Sequence, residues 1–451
     1  MVSWIRNKLG LDGAVAYTFF ARLVNITAST GTVLLIVHFL SPIDQGYYYT
    51  LLSLVSLQMV FELGFSFVIL QLAAHESVHL TLSMDGQIEG DAVAHARLAS
   101  VLQLTVRWYL RAAIALAVIL IPAGLLFFSL KVPAGPRPSI AGPVILAVLA
   151  VSVSFLMTPL YSFFEGCNQI RQVAFTHLCQ ATAVLVASWS AIISGHGLYA
   201  SACVNFAVAF VGFIFLYRRR HLIRILLHHP VGDNGVSWQR EIWPFQWKIA
   251  VSWICSYFTV QVLTPILFAC NGPREAGRMG LSLSIVSYIP IITLPWVSTK
   301  AATFGRLIRL GNLEELDELF FRTLKQAMAV ILLLVGSCFT GILLLQRFFP
   351  NMALRMEPPK IFVLLLLTSI SSFIVQSLAV YLRAFKREPY LVQSLVISSL
   401  TLLGSLITAS RWGSVAVAIT YFILSGIVAL FWATTTFRTL RNRQRNALAC
   451  P

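Results

Sequence analysis

Two charged residues, Arg22 and Glu62, lie inside long apolar stretches near the amino end of the chain. A charge in the hydrocarbon core of a membrane costs about 2.5 to 3.5 kcal/mol on insertion scales, so each needs a partner or an aqueous cavity. Arg22 lies roughly 18 residues before the polar turn 41–46 and Glu62 roughly 15 after it, which places both about 23 to 27 Å from that turn. The spacing predicts that the two charges meet as a pair.

Polar residues at helical spacing accompany both charges. Recurrence every three or four residues puts each set on one face of a helix. The sets are Thr18, Arg22, Asn25, Ser29 and Thr32 in the first stretch and Gln58, Glu62 and Ser66 in the second. Two such faces either line a wet lumen or form a static structural bridge, and Arg22 reaching the inner interface is a further alternative. Five polar residues in one stripe exceed what one ion pair requires, which favours the lumen.

A milder polar stripe follows in the second half of the chain, where Trp253, Tyr257, Gln261 and Thr264 share one helical face. No buried acid there matches Glu62, so we expect the charge of a shared lumen to come mainly from the first half. The candidate lumen-lining residues are Arg22, Asn25, Ser29, Gln58, Glu62, Ser66, Tyr257 and Gln261.

Membrane-spanning helices must position these residues. With 58% hydrophobic residues, 11% charged residues and a mean hydropathy of +0.80, the chain exceeds what a soluble domain can bury. A window of about 20 residues predicts twelve spans, and hence an all-α polytopic membrane protein. The predicted spans are 14–40, 47–72, 104–130, 142–164, 173–194 and 198–217, followed by 247–270, 279–299, 327–349, 358–382, 390–409 and 413–437.

The layout of six spans appears twice. Gly86-Gln87-Ile88-Glu89 and Arg97 in the first half are matched, at the same spacing, by Gly311-Asn312-Leu313-Glu314 and Arg322 in the second. Similarly, Gly197, Ala200, Ala202 and Phe206 are echoed by Gly413, Ala416, Ala418 and Phe422. Such a repeat is typical of transporters, whose two packed halves rock about a site held between them. An even number of spans per half predicts two six-helix bundles related by a pseudo-two-fold axis along the membrane normal. The predicted domains are an amino-terminal bundle 1–217, a basic cytoplasmic linker 218–246, a carboxy-terminal bundle 247–437 and a basic cytoplasmic tail 438–451.

Lysine and arginine predict the orientation, because positively charged loops stay on the cytoplasmic side. Of the 33 such residues, 24 fall on one side of the predicted spans and 8 on the other, with Arg22 inside a span. Both termini are therefore predicted to be cytoplasmic. The net charge of +16 is then explained by the excess of basic residues in cytoplasmic loops, where it can also attract the headgroups of the lipid bilayer. No nucleic-acid partner is expected, since no soluble domain presents a basic face.

The connections between spans exclude several other functions. The outer connections are short, which disfavours a membrane glycosyltransferase or polysaccharide polymerase. No glycine-rich phosphate-binding loop followed by lysine and serine or threonine occurs, so pumping driven by ATP is not expected, and the scattered cysteines indicate neither a metal site nor disulfides. On the inner side, Asn312 with Glu315 predicts a helix start. This helix either lies on the inner membrane surface or extends the ninth span into the cytoplasm.

Several short motifs resemble a known group. They are Leu40-Ser41-Pro42 with Gln45-Gly46-Tyr47 after the first span, Glu62-Leu63-Gly64 within the second, and the repeated loop and glycine-alanine motifs above. The chain resembles the polysaccharide flippases, of the O-antigen type, in the multidrug, oligosaccharidyl-lipid and polysaccharide exporter superfamily. The resemblance implies a two-bundle transporter of undecaprenyl-pyrophosphate-linked oligosaccharide repeat units in the bacterial inner membrane. It also implies a cationic lumen, proton or sodium coupling without a cofactor, and partnership with polysaccharide polymerase machinery.

Two relatives of that group remain as alternatives. A multidrug or small-organic-cation antiporter of the same superfamily is favoured by Glu62, because an acid in the membrane can exchange a proton for a cation. A flippase for the lipid-linked peptidoglycan precursor is less well matched, since that group usually carries two further spans. Here Arg22 is the residue that carries over as a lumen charge, although pairing with Glu62 would reduce its net effect.

Overall fold

The protein is almost entirely helical in the computed structural model, which describes residues 13–78, 80–82, 88–130, 139–231, 235–385 and 388–449. This confirms the predicted all-α class. One antiparallel hairpin of two short strands follows the second span, with Thr81 opposite Glu89. Three predicted features fall outside the described residues: the amino-terminal segment 1–12, Gly86 with Gln87 of the first repeated motif, and most of the outer connection 131–141.

The helices and strands follow the hydropathy of the chain closely. In the first half they are α1 Gly13–Phe39, α2 Pro42–Val55, α3 Gln58–Glu62, α4 Phe65–Ser77, β1 Leu80–Leu82, β2 Ile88–Gly90, α5 Ala92–Leu130, α6 Ala141–Phe155, α7 Thr158–Gly166, α8 Ile170–Ile193, α9 Ala200–Arg218 and α10 Arg220–His228. In the second half they are α11 Trp243–Val260, α12 Leu263–Asn271, α13 Pro273–Thr293, α14 Pro295–Ser298, α15 Ala301–Arg309, α16 Leu313–Phe348, α17 Pro350–Ala353, α18 Pro359–Arg383, α19 Leu391–Tyr421 and α20 Ala429–Ala449. A short 3₁₀ turn precedes α9, and π-helical turns occupy Trp238–Ile242 and Phe422–Val428.

Ten helical segments within the described residues are long and apolar enough to cross a membrane, and the bent pair Pro42–Glu62 and Phe65–Ser77 makes an eleventh span. The last segment, Leu391–Gln444, contains Gly413 at φ 70° and ψ −156°, far from helical geometry. Glycine adopts this conformation because it has no Cβ. Dividing the segment at Gly413 gives twelve spans, at the positions of the twelve predicted ones.

Several of the spans are interrupted. The second span bends by 42° where Leu63 and Gly64 adopt positive φ angles of 53° and 65°. The seventh is interrupted at 261–262, between α11 and α12. Non-helical backbone at membrane depth persists only where other groups satisfy its freed donors and acceptors, so these breaks mark places where the chain lines a cavity or contacts a capping side chain.

The connection before the ninth span decides between the two predicted alternatives. The side chain of Asn312 accepts a hydrogen bond from the backbone N–H of Glu315 at 3.2 Å, which confirms the predicted helix start. Helix α16 then runs without interruption from Leu313 to Phe348, so this segment extends the ninth span. The alternative of a separate surface helix at this position is wrong.

The chain forms two compact units. The first comprises Met1–Asp44 and Leu54–Trp253, and the second comprises Gln45–Ser53 and Ile254–Pro451. The core of the first unit is aromatic, with Phe65 stacked on Tyr109 at 6.1 Å between ring centroids. In the second, Phe320 lies 4.8 Å from Tyr381. The predicted domain limits at 217 and 247 stay a prediction.

The Gln45-Gly46-Tyr47 motif anchors a helix within the second unit. The buried Gln45 amide donates hydrogen bonds to the carbonyl oxygens of Gly277 at 2.9 Å and Arg355 at 3.0 Å. A Cβ atom added at Gly46 would lie 1.9 Å from the carbonyl oxygen of Pro273, closer than any side chain allows. The motif therefore serves close helix packing.

Candidate functional site

The polar stripe of the first span lies partly against the fifth span, α8. The indole N–H of Trp189 donates to Thr32 Oγ1 at 3.2 Å and to the carbonyl oxygen of Ala28 at 3.4 Å. The hydroxyl of Ser29 donates to the carbonyl oxygen of Asn25 at 2.7 Å, one turn earlier on the same helix. Part of the stripe thus serves helix packing, while Arg22 and Asn25 are exposed.

Arg22 and Glu62 do not form the predicted ion pair. Among the described residues, no salt bridge includes either of them, and Glu62 Oε1 instead accepts a hydrogen bond from the Ser66 hydroxyl at 2.8 Å. The number of residues from the turn predicts only how far along its helix each residue lies. The direction in which each side chain projects depends on which helix packs beside it, and α1 packs chiefly along α8.

Glu62, Ser66 and Tyr109 form a hydrogen-bonded chain that joins the second span to the third. Ser66 uses its one proton toward Glu62, so its 3.0 Å contact with the Tyr109 hydroxyl makes Tyr109 the donor. Two of these three residues were predicted as candidates, and Tyr109 was not. A chain of hydroxyl groups that ends on a carboxylate can reorient when the acid takes up a proton, which suits Glu62 to proton binding.

The break at Leu63 and Gly64 places Glu62 at the end of helix α3. The freed carbonyl oxygen of Leu63 accepts a hydrogen bond from the Gln246 amide at 2.5 Å, within the first unit. Gly64 packs tightly there too, because an added Cβ would lie 2.4 Å from Ile249 Cγ2. Gln58 begins the same short helix, and its side chain makes no hydrogen bond within the described residues. The acid is therefore held at a discontinuity whose backbone is satisfied by a neighbouring helix.

The two candidates of the second half occupy different surroundings. Tyr257 is 3% exposed, and its hydroxyl donates to the carbonyl oxygen of Ser53 at 3.2 Å within the second unit. Gln261 is partly exposed in the turn between α11 and α12. Glu62 and Gln261 thus both lie at interruptions of their spans, which the polar spacing alone did not indicate.

A cavity of about 210 Å³ lies within the second unit beside the seventh-span break. Its polar lining includes Ser287, Ser369, Ser372, Gln376 and Tyr421. Ser369, Ser372 and Gln376 were not predicted, although their spacing on α18 places them on one helical face and could have revealed them. Serine, amide and phenol groups in an apolar wall can orient a polar cargo by hydrogen bonds.

A buried acid outside the spans was also missed. Glu357, between α17 and α18, is 2% exposed, and its Oε2 accepts a hydrogen bond from the Ser414 hydroxyl at 3.3 Å. Burial is the main effect that raises the pKa of Glu357 to about 7, and the charge of Glu275 adds to it. The hydrogen bond from Ser414 and the charge of Arg278 lower the pKa by smaller amounts. This carboxyl group can change protonation near neutral pH.

Ion pairs hold elements together within each unit, near the ends of the spans that are predicted to face the cytoplasm. In the first, Arg97 contacts the buried Glu76 at 2.8 Å and Glu241 at 2.6 Å. The hydrogen bond from the backbone N–H of Ser237 is the main effect on Glu241, and it lowers the pKa of this carboxyl group. Burial raises the pKa and Arg97 lowers it again, so the net shift is downward. In the second unit, Arg441 contacts Asp317 at 2.7 Å. Within the described residues, no group of three His, Cys, Asp or Glu side chains could hold a metal ion.

No protein-family model matches the chain. No curated protein resembles it in sequence. Solved structures do resemble it: an inward-facing multidrug resistance MATE family transporter of the MOP superfamily is 13% identical, with a TM-score of 0.61 over 94% of this chain and 99% of that one.

Two further structures are similar over nearly the whole chain. The lipid II flippase MurJ, in an inward closed conformation, is 14% identical, with a TM-score of 0.57 over 96% of this chain and 91% of its own. A MOP superfamily transporter from Pyrococcus furiosus is 12% identical, with a TM-score of 0.55 over 96% of both chains. The protein therefore has the multi-pass helical fold of MOP superfamily transporters.

Proposed function

We propose that this protein flips lipid-linked oligosaccharide repeat units across the bacterial inner membrane for surface polysaccharide synthesis. The fold supports a transporter, since the similar structures are of transporters and one of them is a lipid flippase. The cargo, undecaprenyl-pyrophosphate-linked oligosaccharide, follows from the motif resemblance. Alternating access of two halves is the mechanism, with both termini in the cytoplasm and polysaccharide polymerase machinery as the downstream partner.

The broken second span is the observation that carries the proposal. Transporters commonly place substrate and coupling-ion sites at discontinuous helices. Here the break follows Glu62 directly, and Glu62 hydrogen-bonds to Ser66, which in turn contacts Tyr109. Glu62 is our candidate for the residue that binds the coupling ion, which is a proton or sodium. The exposed Arg22 is our candidate for the residue that contacts the pyrophosphate.

Replacing Arg22 with Ala tests the assignment of the pyrophosphate contact. We expect Arg22→Ala, at unchanged expression, to abolish surface polysaccharide, because the lumen loses its cation. Arg443→Ala is the matched control, since Arg443 is exposed and makes no ion pair among the described residues. Normal export by Arg22→Ala would exclude Arg22 from the cargo path.

The function itself needs a separate measurement. In vesicles that contain the purified protein, a fluorescent undecaprenyl-pyrophosphate oligosaccharide should become accessible to a membrane-impermeant reagent on the opposite leaflet. Empty vesicles and vesicles with an unrelated membrane protein give the background rate. A rate equal to that background would refute lipid-linked oligosaccharide as the cargo.

An antiporter for small organic cations is the second candidate. The specific observation in its favour is that Glu62 has no basic partner among the described residues, so its charge is available to a cation or a proton. Uptake of a fluorescent organic cation into the same vesicles under a pH gradient distinguishes the two. Cation transport that Glu62→Gln abolishes, without oligosaccharide flipping, would favour the antiporter.

A further inference from the structure

A cavity of about 630 Å³ lies within the first unit, at the ends of spans predicted to face the cytoplasm. It is formed where the first span begins, at Tyr17, where the fifth begins, at Arg171, and where the sixth ends, at Arg218 and Arg219. None of the predicted lumen residues lines it. The cavity is therefore separate from the candidate site described above.

Arg219 is the central feature of this cavity. It is 8% exposed, its Nε donates to Gln169 Oε1 at 2.8 Å, and its guanidinium lies 3.8 Å from the centre of the Phe215 ring. These contacts fix the side chain but do not neutralise it, since no carboxylate within the described residues pairs with it. A buried charge normally has a partner of opposite sign, so an uncompensated one indicates an anion supplied from outside the chain.

Two further arginines line the same cavity. Arg171 and Arg218 are exposed, and neither forms an ion pair among the described residues. Glu165, the acid nearest to Arg171 along the sequence, makes no salt bridge with any of the three arginines in the part of the chain that the structure describes. Guanidinium groups suit phosphate especially well, because their planar donors match its oxygens two at a time.

Part of the cavity lining is apolar. Phe175 is 46% exposed and packs edge-on against Tyr17, and Ile214 is 41% exposed. Val211 continues this wall. A free anion would leave these side chains uncovered, whereas a lipid offers a phosphate for the arginines and a hydrocarbon chain for the wall. Basic pockets between spans at the cytoplasmic side are where headgroups of anionic lipids bind.

We propose that this cavity binds an anionic phospholipid of the inner leaflet, with its phosphate on Arg219, Arg218 and Arg171 and an acyl chain against Phe175 and Ile214. The site does not depend on the cargo, so it goes beyond the proposed function. A bound lipid would join the start of the fifth span to the end of the sixth and stabilise the first unit.

The test is lipid binding by the purified, delipidated full-length protein, measured by native mass spectrometry. We expect phosphatidylglycerol to be retained in preference to phosphatidylcholine, and the double variant Arg171→Ala, Arg218→Ala to weaken that retention by roughly 30-fold. Both substitutions are at exposed positions, so folding is preserved. Arg220→Ala is the matched control, because Arg220 stacks on Tyr217 at 4.2 Å and does not line the cavity.

Competition identifies the source of the phosphate. Inorganic pyrophosphate alone should displace phosphatidylglycerol poorly, because it lacks a chain for the apolar wall; complete displacement would overturn the lipid assignment. Undecaprenyl pyrophosphate binding in place of phosphatidylglycerol would also overturn it, and would make the cavity a cargo site. Equal retention of phosphatidylglycerol by the double variant and by Arg220→Ala would exclude the cavity altogether.

Discussion

The buried carboxyl group of Glu357 allows a pH test of the second unit. One of its carboxylate oxygens, Oε1, is buried with no hydrogen-bond partner among the described residues, and the other is bonded to Ser414. Charges that face it come from Glu275, which raises its pKa, and from Arg278, which lowers it. The substitution Glu357→Gln keeps the size of the side chain and removes its negative charge.

The magnitude follows from the pKa. An unfolded chain titrates Glu357 near 4.5, whereas burial raises the folded pKa to about 7. Between these values the folded protein binds a proton that the unfolded chain does not, so the free energy of unfolding falls as the pH rises. The loss amounts to about 3 kcal/mol and is complete just above pH 7. Glu357→Gln should remove this loss and be the more stable protein above pH 7.

The assay is thermal unfolding in detergent micelles from pH 4.5 to 8.5 at constant ionic strength. The difference in unfolding midpoint between Glu357→Gln and the unchanged protein should grow across the window from pH 5 to pH 7. Glu314→Gln, at an exposed position without a hydrogen bond among the described residues, should follow the unchanged protein. If Glu357→Gln loses stability with rising pH as steeply as the unchanged protein, Glu357 is not the titrating group.

Two packing predictions use matched positions in the chain. Gly46→Ala should destabilise the protein by at least about 1 to 3 kcal/mol, because the added Cβ would clash with the carbonyl oxygen of Pro273. Gly305→Ala, in a helix where an added Cβ meets open space, should be neutral or slightly stabilising in the same unfolding assay. Arg97→Ala should cost about 3 to 5 kcal/mol because the buried Glu76 loses its arginine partner. Arg322→Ala, at the repeat-related position, should cost less than about 1 kcal/mol because its ion pair with Glu318 is exposed. Equal effects within either pair would refute the corresponding contact.

Hydropathy predicted the spans well because membrane helices are defined by length and apolar composition. The helix start at Asn312 was also predictable, since capping depends on residues three apart. The break at Leu63 was not. Leucine has no intrinsic preference for a positive φ, so this backbone conformation depends on tertiary contacts such as the hydrogen bond from Gln246 to the Leu63 carbonyl.

The candidate site was predicted in part. Spacing along a helix correctly grouped Glu62 with Ser66, because residues four apart share a face whatever packs against it. The partner of Glu62 could not be predicted this way. Which helix lies beside another is a tertiary property, and the third span, which brings Tyr109 to Ser66, has no special signal at that position.

The repeat-related arginines show how two copies of one layout acquire different interactions. Arg97 reaches Glu76 and Glu241, which lie outside its own helix, and so ties three segments together. Among the described residues Arg322 forms an ion pair with Glu318 alone, one turn earlier on α16, while Asp317 of the second unit binds Arg441 and Tyr381. A shared motif therefore predicts a shared helix position but not a shared partner. The two halves differ in the same way at the candidate site, where the first half has an acid at its helix break and the second half has Gln261.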